Sequence, residues 1–310
     1  MSLKNEKKAE SRVIFHSLKD ASKEPDKVVI LDLHLKKLKS IPEEVYNFPN
    51  LEELYLMNNS ITAIPPHIKA IKKLVKIDLS GNEISVIPKE LFELKELKTL
   101  ILSWNNIEEI PDGIGNLTKL EWLGLNHNNI NKISKDIGGL TNLRELVLSD
   151  NEIDELPNSI SKLSSMEKLR ISNNLIEELP KNIGHMKNLT KLEAHENNII
   201  NIPESIGDLE NLEKLRLYKN LIEALPESIG NCKKLEKLLI YENELEALPE
   251  SIGKLSKLEE LDVSNNALKS LPEDISGLIS LDNLDISKND LDYNAVDKFA
   301  KMIPNAKVVF

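Results

Sequence analysis

The segment LKTLILSWNNIEEIPDGIGNLTK, Leu97–Lys119, is the unit from which most of the chain is built. Its pattern is L-x-x-L-x-L-x-x-N-x-I-x-x-I-P-x-x-I-x-x-L-x-x, and the same pattern begins again at Leu74 and at Leu120. The spacing of 23 residues is kept from residue 28 to residue 280 without an insertion or deletion, so eleven copies follow one another. A fixed period of this length predicts a solenoid, in which each repeat forms one coil that packs on its neighbours.

The composition limits the class of protein. A length of 310 residues would ordinarily suggest about two globular domains, but the unbroken period favours one elongated unit. The net charge of -11 provides no overall basic field for non-specific nucleic-acid binding. No run approaches the roughly 18 apolar residues that span a bilayer. We therefore expect neither nucleic acid as a partner nor insertion into a membrane.

The sequence also bears on the cellular compartment. The N-terminal residues MSLKNEKKAESRV lack the apolar run and the small-residue cleavage site of a signal peptide. Cys232 is the only cysteine, which excludes an internal disulfide bond. These features favour a reducing compartment or a bacterial protein, and we expect a cytoplasmic location. Export stays open at this stage, because a trimmed sequence can lack its signal peptide.

One column of the repeat is asparagine, and it predicts bonds between coils. The ninth position is asparagine in every repeat from the second onward, including the start of a twelfth. An inward asparagine can bond backbone groups of adjacent coils, so that no buried peptide group lacks a partner. We assign this structural role to Asn59, Asn82, Asn105, Asn128, Asn151, Asn174, Asn197, Asn220, Asn243, Asn266 and Asn289.

A second column predicts the form of the convex side. Proline follows the second isoleucine or leucine in ten of the eleven repeats, and Ser134 takes its place in the other one. Proline fixes φ and cannot donate a ladder hydrogen bond, so it forbids a long strand at this point. The segments that follow are too short for a full helix. We expect one turn of 3₁₀ helix or irregular structure in each repeat.

The N-terminal residues 1–27 lie outside the period and are predicted to cap the first coil. Their apolar spacing approximates an amphipathic helix that ends before Pro25. A helix that binds a partner is the alternative. The apolar side of the predicted helix consists of Ala9, Val13, Ile14, Leu18 and Ala21.

The C-terminal residues 292–310 are predicted to cap the other end of the solenoid, which covers residues 28–291. Their apolar residues recur at helical spacing, and Pro304 then stops the helix. The last four residues, 307–310, are expected to add a short strand. The helical apolar residues are Val296, Phe299, Ala300 and Ile303.

Residues 28–291 closely resemble the 23-residue, Ile-Pro-containing leucine-rich repeats of intracellular Ras-suppressor-like and scaffold proteins, plant Ras-group-related repeat proteins and many bacterial repeat proteins. The stretch ASKEPDKVVILDLHLKKLKSIPEEV, Ala21–Val45, is most similar to the start of bacterial members. The resemblance implies an α/β fold: a right-handed, curved solenoid with a parallel sheet on the concave side and short 3₁₀ or irregular convex segments. It also implies protein–protein recognition as the usual role. Some relatives carry a kinase, GTPase or ubiquitin-ligase domain, and the repeats and caps leave no length for one in this sequence.

The register of the repeat assigns side chains to the concave face, at the third, fifth, seventh and eighth positions. Five of the seven Trp and Tyr residues lie there, and exposed aromatic residues on a rigid face are typical binding anchors. The predicted N-terminal apolar patch consists of Tyr55, Met57, Ile101, Trp104, Trp122, His127 and Val147. A second group consists of His195, Tyr218, Leu239 and Tyr241. A basic file beside them consists of Lys168, Lys191, Lys214 and Lys237, joined by Arg170 and Arg216.

We expect these residues to bind another protein, and the basic file favours an acidic or mixed-charge segment of that protein. Glu193, Glu196 and Glu242 lie nearby and offset part of the repulsion among the lysines. A solvated face without a partner is one alternative. A structural or self-associating surface protein is another. Nucleic acid fits poorly, because an acidic body surrounds the basic strip.

Catalytic and metal sites were weighed as well. Asp262 and Asp285 occupy the same position in adjacent repeats, roughly 5 Å apart, where a raised pKa or a bound cation is an alternative to a solvated pair. His127 with Asp150 leaves a weak surface metal site as an alternative. Cys232 replaces a core leucine and is expected to be a small buried side chain. We therefore expect a non-enzymatic protein without a cofactor.

Overall fold

The computed structural model describes residues 13–310, and the predicted curved, right-handed solenoid is confirmed. Fourteen short parallel strands form one sheet within the described residues. Its strands are β1 (Ile14–Phe15), β2 (Ile30–Asp32), β3 (Glu53–Tyr55), β4 (Lys76–Asp78), β5 (Thr99–Ile101), β7 (Trp122–Gly124), β9 (Glu145–Val147), β10 (Lys168–Arg170), β11 (Lys191–Glu193), β12 (Lys214–Arg216), β13 (Lys237–Leu239), β14 (Glu260–Asp262), β15 (Asn283–Asp285) and β16 (Lys307–Val309). A separate pair consists of β6 (Glu109–Ile110) and β8 (Lys132–Ile133).

Each strand of a repeat is three residues long and alternates between two environments. Leu100 at the fourth position is fully buried, whereas Thr99 and Ile101 on either side of it are half-buried on the concave face. This alternation follows from the two-residue period of a strand. Adjacent strands pair without a shift in register, so that Leu100 lies beside Leu123 of the next coil. Equivalent positions therefore form straight columns with a spacing of about 4.8 Å.

The convex side consists of 3₁₀ turns in ten of the eleven repeats, as predicted. They are Glu43–Asn47, Pro66–Ala70, Lys89–Glu93, Ile114–Asn116, Lys135–Gly139, Asn158–Lys162, Ile183–His185, Glu204–Asp208, Glu227–Asn231 and Glu250–Lys254. Apolar side chains from the strands and from these turns fill one continuous core. Cys232 lies in this core, as expected, and its burial raises the pKa of the thiol to about 12.

The asparagine column joins the coils through the predicted backbone bonds. The Oδ1 atom of Asn128 accepts a hydrogen bond from the N–H of Ile107, at 3.0 Å. Its Nδ2 group donates to the carbonyl oxygens of Leu102 and Leu125, both at 3.0 Å. The other asparagines of the column make equivalent bonds, from Asn59 at one end to Asn289 at the other. Each asparagine therefore connects its own coil to the preceding one.

The N-terminal segment differs from the predicted helix. Ile14–Phe15 is a strand that pairs in parallel with Ile30 and Leu31, so the helical prediction is wrong at these residues. A strand is favoured because it satisfies backbone groups at the edge of the first coil. Within residues 13–27, the helix covers only α1 (Leu18–Ala21), and a 3₁₀ turn at Pro25–Lys27 leads into the first repeat.

The residues of this segment also contact the solenoid. Ala21 is fully buried, and the half-buried Phe15 and Leu18 pack against the core. Val13 stays exposed. Ala9, the remaining residue of the predicted apolar side, lies outside the described residues.

The C-terminal elements agree with the sequence. Helix α2 (Tyr293–Met302) is followed by β16, which pairs with β15 and completes the sheet. Val296, Phe299 and Ile303 of this segment are buried against the core, as their helical spacing predicts. Within residues 13–310, no helix is both long enough and apolar enough to cross a membrane.

The asparagine bonds give a testable stability difference between two neighbouring residues. We expect Asn128→Ala to lower the free energy of unfolding by about 3 kcal/mol, since each buried polar group left unpaired costs about 1–3 kcal/mol. Asn129→Ala is the matched control, because Asn129 is exposed and only its backbone forms a described bond. Urea unfolding at neutral pH measures both variants. An equal loss in the two variants would contradict the role of the column.

Candidate functional site

The eighth position of each coil has a fixed and unusual backbone conformation. From Leu35 to Lys288, all twelve residues at this position have φ between 53° and 66°, the left-handed region. Glycine and asparagine tolerate this region, and Gly81 and Asn58 are examples in this column. Trp104 has the same conformation, with φ of 59°. A bulky residue there costs of order 1 kcal/mol, and such strain is typical of functional positions.

Trp104 is also the most exposed aromatic ring among the predicted site residues, with 60% of its surface accessible. Its indole stacks on the imidazole of His127 in the next coil, with ring centroids 3.7 Å apart. His127 Nε2 lies 3.3 Å from a carboxylate oxygen of Asp150, and Asn173 donates to the other oxygen at 2.7 Å. The eighth positions of four successive coils thus form one continuous ladder of contacts.

This ladder accounts for the histidine and aspartate that the sequence left open as a weak metal site. The His127–Asp150 contact is an ion pair when the imidazole is protonated. Residues 13–310 contain no cluster of three or more His, Cys, Asp or Glu side chains that could hold a metal ion.

Trp122 lies flat across the sheet in the coil that follows Trp104. A Cβ atom built on Gly124 would lie only 2.4 Å from the indole of Trp122, so only glycine allows this placement. The indole also lies close enough to the Glu145 carboxylate to favour its charged form. Burial raises the pKa of Glu145, but Arg170, Trp122 and Lys168 together outweigh burial and hold that pKa below its usual range.

The structure divides the predicted N-terminal patch into two parts. Strand β4, with Lys76 and Asp78, lies between β3 and β5. Tyr55 therefore stands about 10 Å from the apolar residues of β5. Its hydroxyl donates to Glu53 at 2.7 Å, and the Lys76 ammonium lies 5.0 Å from the centre of its ring. Met57 belongs to the same coil as Tyr55, whereas the three consecutive coils that follow β4 hold Ile101, Trp104, Trp122, His127 and Val147.

The second predicted group is a continuous stack of three rings. The His195 and Tyr218 centroids are 4.2 Å apart, and those of Tyr218 and Tyr241 are 4.5 Å apart, with interplanar angles of 19° and 4°. Burial lowers the pKa of His195 and raises the pKa of Tyr218, and it raises that of Tyr241 to about 12. The stack is therefore uncharged at neutral pH. Leu239 lies half-buried on the same coil as Tyr241.

The lysine file runs along four paired strands, β10 to β13, and most of its members have acidic partners. The ion pairs are Lys168–Glu145 at 3.5 Å, Lys191–Glu193 at 2.9 Å and Lys237–Glu260 at 2.7 Å. Lys214 lies between Lys191 and Lys237 in register, and it makes no ion pair with any described residue.

Glu193 is the carboxylate on which the basic file converges. Only 9% of its side chain is exposed, and it contacts Arg170 at 2.9 Å, Lys191 at 2.9 Å and Arg216. Burial alone would raise the pKa of Glu193, but these three cations hold it below its usual range. Glu193 is therefore a structural counter-ion beneath the basic surface, a role that its sequence position alone does not indicate.

The paired aspartates are also explained by local bonds. Asp262 and Asp285 lie side by side on β14 and β15. Each accepts hydrogen bonds from the backbone and hydroxyl of a serine two residues later, Ser264 and Ser287 respectively. Burial raises the pKa of Asp262. The Asp-x-Ser spacing was visible in the sequence and could have indicated this turn.

Comparisons with known proteins agree with the geometry. Family models described as a leucine-rich repeat region match residues 27–149 and 125–221, and a leucine-rich repeat model matches residues 233–291. A leucine-rich repeat protein of Leptospira interrogans is 26% identical, with a TM-score of 0.64, over 96% of this chain and 100% of that one. An internalin of Listeria monocytogenes is 24% identical, with a TM-score of 0.79, over 93% and 84%.

A plant peptide hormone receptor, solved in complex with RGF2, is 25% identical with a TM-score of 0.75. The alignment covers 90% of this chain and 50% of the receptor, so this chain spans about half of the receptor's length. No curated protein matches the sequence.

The buried counter-ion Glu193 gives a pH-dependent prediction. A carboxylate whose folded pKa is lowered contributes stability at neutral pH, and this contribution is lost as the pH falls through the folded pKa. We expect Glu193→Gln to destabilise the fold by about 2 kcal/mol at neutral pH, because three cations lose their shared charge partner. The difference from the wild type should narrow on acidification below about pH 4.

Urea unfolding at two pH values measures this change. Glu242→Gln is the control, because Glu242 is an exposed carboxylate of the same face without an ion pair to a described residue. A difference between Glu193→Gln and the wild type that stays constant with pH would exclude Glu193 as the charged centre of the cluster.

Proposed function

The chain belongs to the leucine-rich repeat family, and we propose that it acts by binding a partner protein on its concave face. Proteins with this fold are generally non-enzymatic binding scaffolds, and the plant receptor described above was solved in complex with RGF2. We propose the same class of role for this chain, without catalysis.

The observation that supports the proposal most strongly is the state of Trp104. A tryptophan that is 60% exposed does little for the core, and its left-handed backbone is costly for a bulky side chain. The same column holds asparagine, glycine, leucine, histidine, aspartate, glutamate and lysine, so the turn itself does not require tryptophan at this position. A large, rigid aromatic side chain on an open surface is instead typical of an interface anchor.

The side chains around Trp104 form a binding surface that is preorganised before the partner arrives. Stacking on His127 holds the Trp104 indole in place, and Gly124 allows Trp122 to lie on the sheet in the next coil. Aromatic side chains that are fixed before binding lose little conformational freedom on binding, which favours affinity. We propose that this part of the face is the principal anchor and that the ring stack of Tyr218 is the second.

The substitution Trp104→Asn separates binding from stability. Asparagine tolerates the left-handed backbone, so the relief of strain should offset the lost stacking energy, and the melting temperature should change little. Partner binding should weaken by about tenfold or more, as for the loss of an interface hot spot. Val86→Asn is the control, because Val86 is 67% exposed and lies outside the sheet that bears the two aromatic groups.

Quantitative affinity capture from a lysate of the source organism, followed by mass spectrometry, compares the wild type with both variants. We expect some proteins from the lysate to bind the wild type and Val86→Asn but not Trp104→Asn. Equal retention by all three proteins would contradict the proposal. A large drop in the melting temperature of Trp104→Asn would instead make Trp104 a structural residue.

A further inference from the structure

We propose that the partner contributes an extended segment with an acidic residue at every second position, and that one of these acidic side chains binds at Lys214. The partner residues between the acidic ones would lie on the ring stack of His195, Tyr218 and Tyr241. This inference rests on the proposed function and specifies the chemistry of the partner.

The strip on β10 to β12 carries an excess of positive charge. The chain as a whole carries a net charge of -11, yet five cationic side chains on these strands are balanced by two carboxylates, an excess of three positive charges, and Lys214 pairs with neither carboxylate. The two carboxylates are Glu145 and Glu193, and the cations are Lys168, Arg170, Lys191, Lys214 and Arg216. An acidic segment complements this strip, and like charges would repel a basic one.

Lys214 differs from its neighbours in the basic file. Its neighbours Lys191 and Lys237 are each held by a carboxylate, at 2.9 Å and 2.7 Å. Lys214 is half-buried, and no described carboxylate lies within ion-pair distance of its ammonium group. A carboxylate from a partner would give Lys214 the contact that its neighbours already have, in a site that is partly shielded from salt.

The lysines and the rings form two columns with a third column between them. The lysines occupy the third position of their repeats and the ring stack occupies the seventh, so the two columns border the fifth-position column on opposite sides. A segment that runs along the fifth column, across the strands, directs successive side chains alternately to the two sides. Acidic side chains would then reach the lysine column, and apolar or planar ones would reach the rings.

The rings suit the second role because they are neutral, flat and already aligned. Tyr218 and Tyr241 are almost parallel, with 4° between their planes, and thus offer one continuous edge. Their phenol groups stay protonated at neutral pH, since burial raises the pKa of both. They can therefore donate hydrogen bonds to an acidic segment and do not repel it.

The extent of the strip favours a short peptide over a longer polyanion. Acidic side chains border it at both ends: Asp150 lies before β10, and Asp262 and Asp285 lie beyond β13. Four coils at a spacing of about 4.8 Å span roughly 15 Å between the first and last strand. A single-stranded nucleic acid that continued past this length would meet the acidic borders.

Selection from a library of short random peptides displayed on phage tests the proposal with the full-length protein. The expected binders have acidic residues at alternate positions, with aromatic or aliphatic residues between them. Binding of a selected synthetic peptide should weaken about tenfold on Lys214→Glu, as for the loss of a close charge pair. Lys288→Glu is the control, because Lys288 is an exposed lysine three coils away that also lacks an ion pair with a described residue.

The possible results separate the two proposals. Binders that depend on Tyr218 but have no alternating acidic pattern would overturn this inference and leave concave binding intact. Binders that respond equally to Lys214→Glu and Lys288→Glu would also overturn it. Binders that no concave substitution affects would count against both proposals. A short single-stranded oligonucleotide that displaces the selected peptide and binds more tightly than the peptide would overturn this inference, because the strip would then be a nucleic-acid site.

Discussion

The rest of the structure depends on one repeated interaction, the hydrogen bonds between the ninth-position asparagine and the backbone of adjacent coils. At Asn128 these bonds satisfy one buried N–H and two buried carbonyl groups. The bonds recur at a constant offset of 21 and 26 residues, so each coil has the same height and the same register as the last. This constancy turns the variable positions of the repeat into straight columns of side chains.

The columns explain why the concave face has distinct chemical regions. A contact between neighbouring coils is made by residues 23 positions apart, so a change in one repeat affects only its two neighbours. Stacked rings, an ion-pair network and an open tryptophan can therefore stand on one sheet without disturbing one another. The three cations around the buried Glu193 make this region positive, since the single carboxylate fixes their positions and neutralises only one of their three charges.

Most of the fold could be predicted from the sequence, because the repeat itself states the period, the core positions and the convex turns. For the binding site, the sequence predicts which column of the repeat each side chain occupies, but it does not predict the contacts of that side chain. Tyr55 and Trp104 are predicted to share one patch because both face the same side, but the repeat order already places the coil of Asp78 between them, and the strand pairing shows the same order. The flat placement of Trp122 depends on Gly124, and the sequence shows that pair without showing its contact. The helix predicted at Ile14 failed because a strand edge at the first coil competes with helical spacing.

The most direct test of the central claim, that the concave face is the binding surface, is carbene footprinting of the protein alone and with a captured partner. The account predicts that labelling of Trp104, Tyr218 and Tyr241 falls when the partner is bound, while labelling of the exposed Val86 and Ile279 stays the same. Protection of Val86 or Ile279 with unchanged labelling of the three aromatic residues would contradict the account and move the interface off the concave sheet.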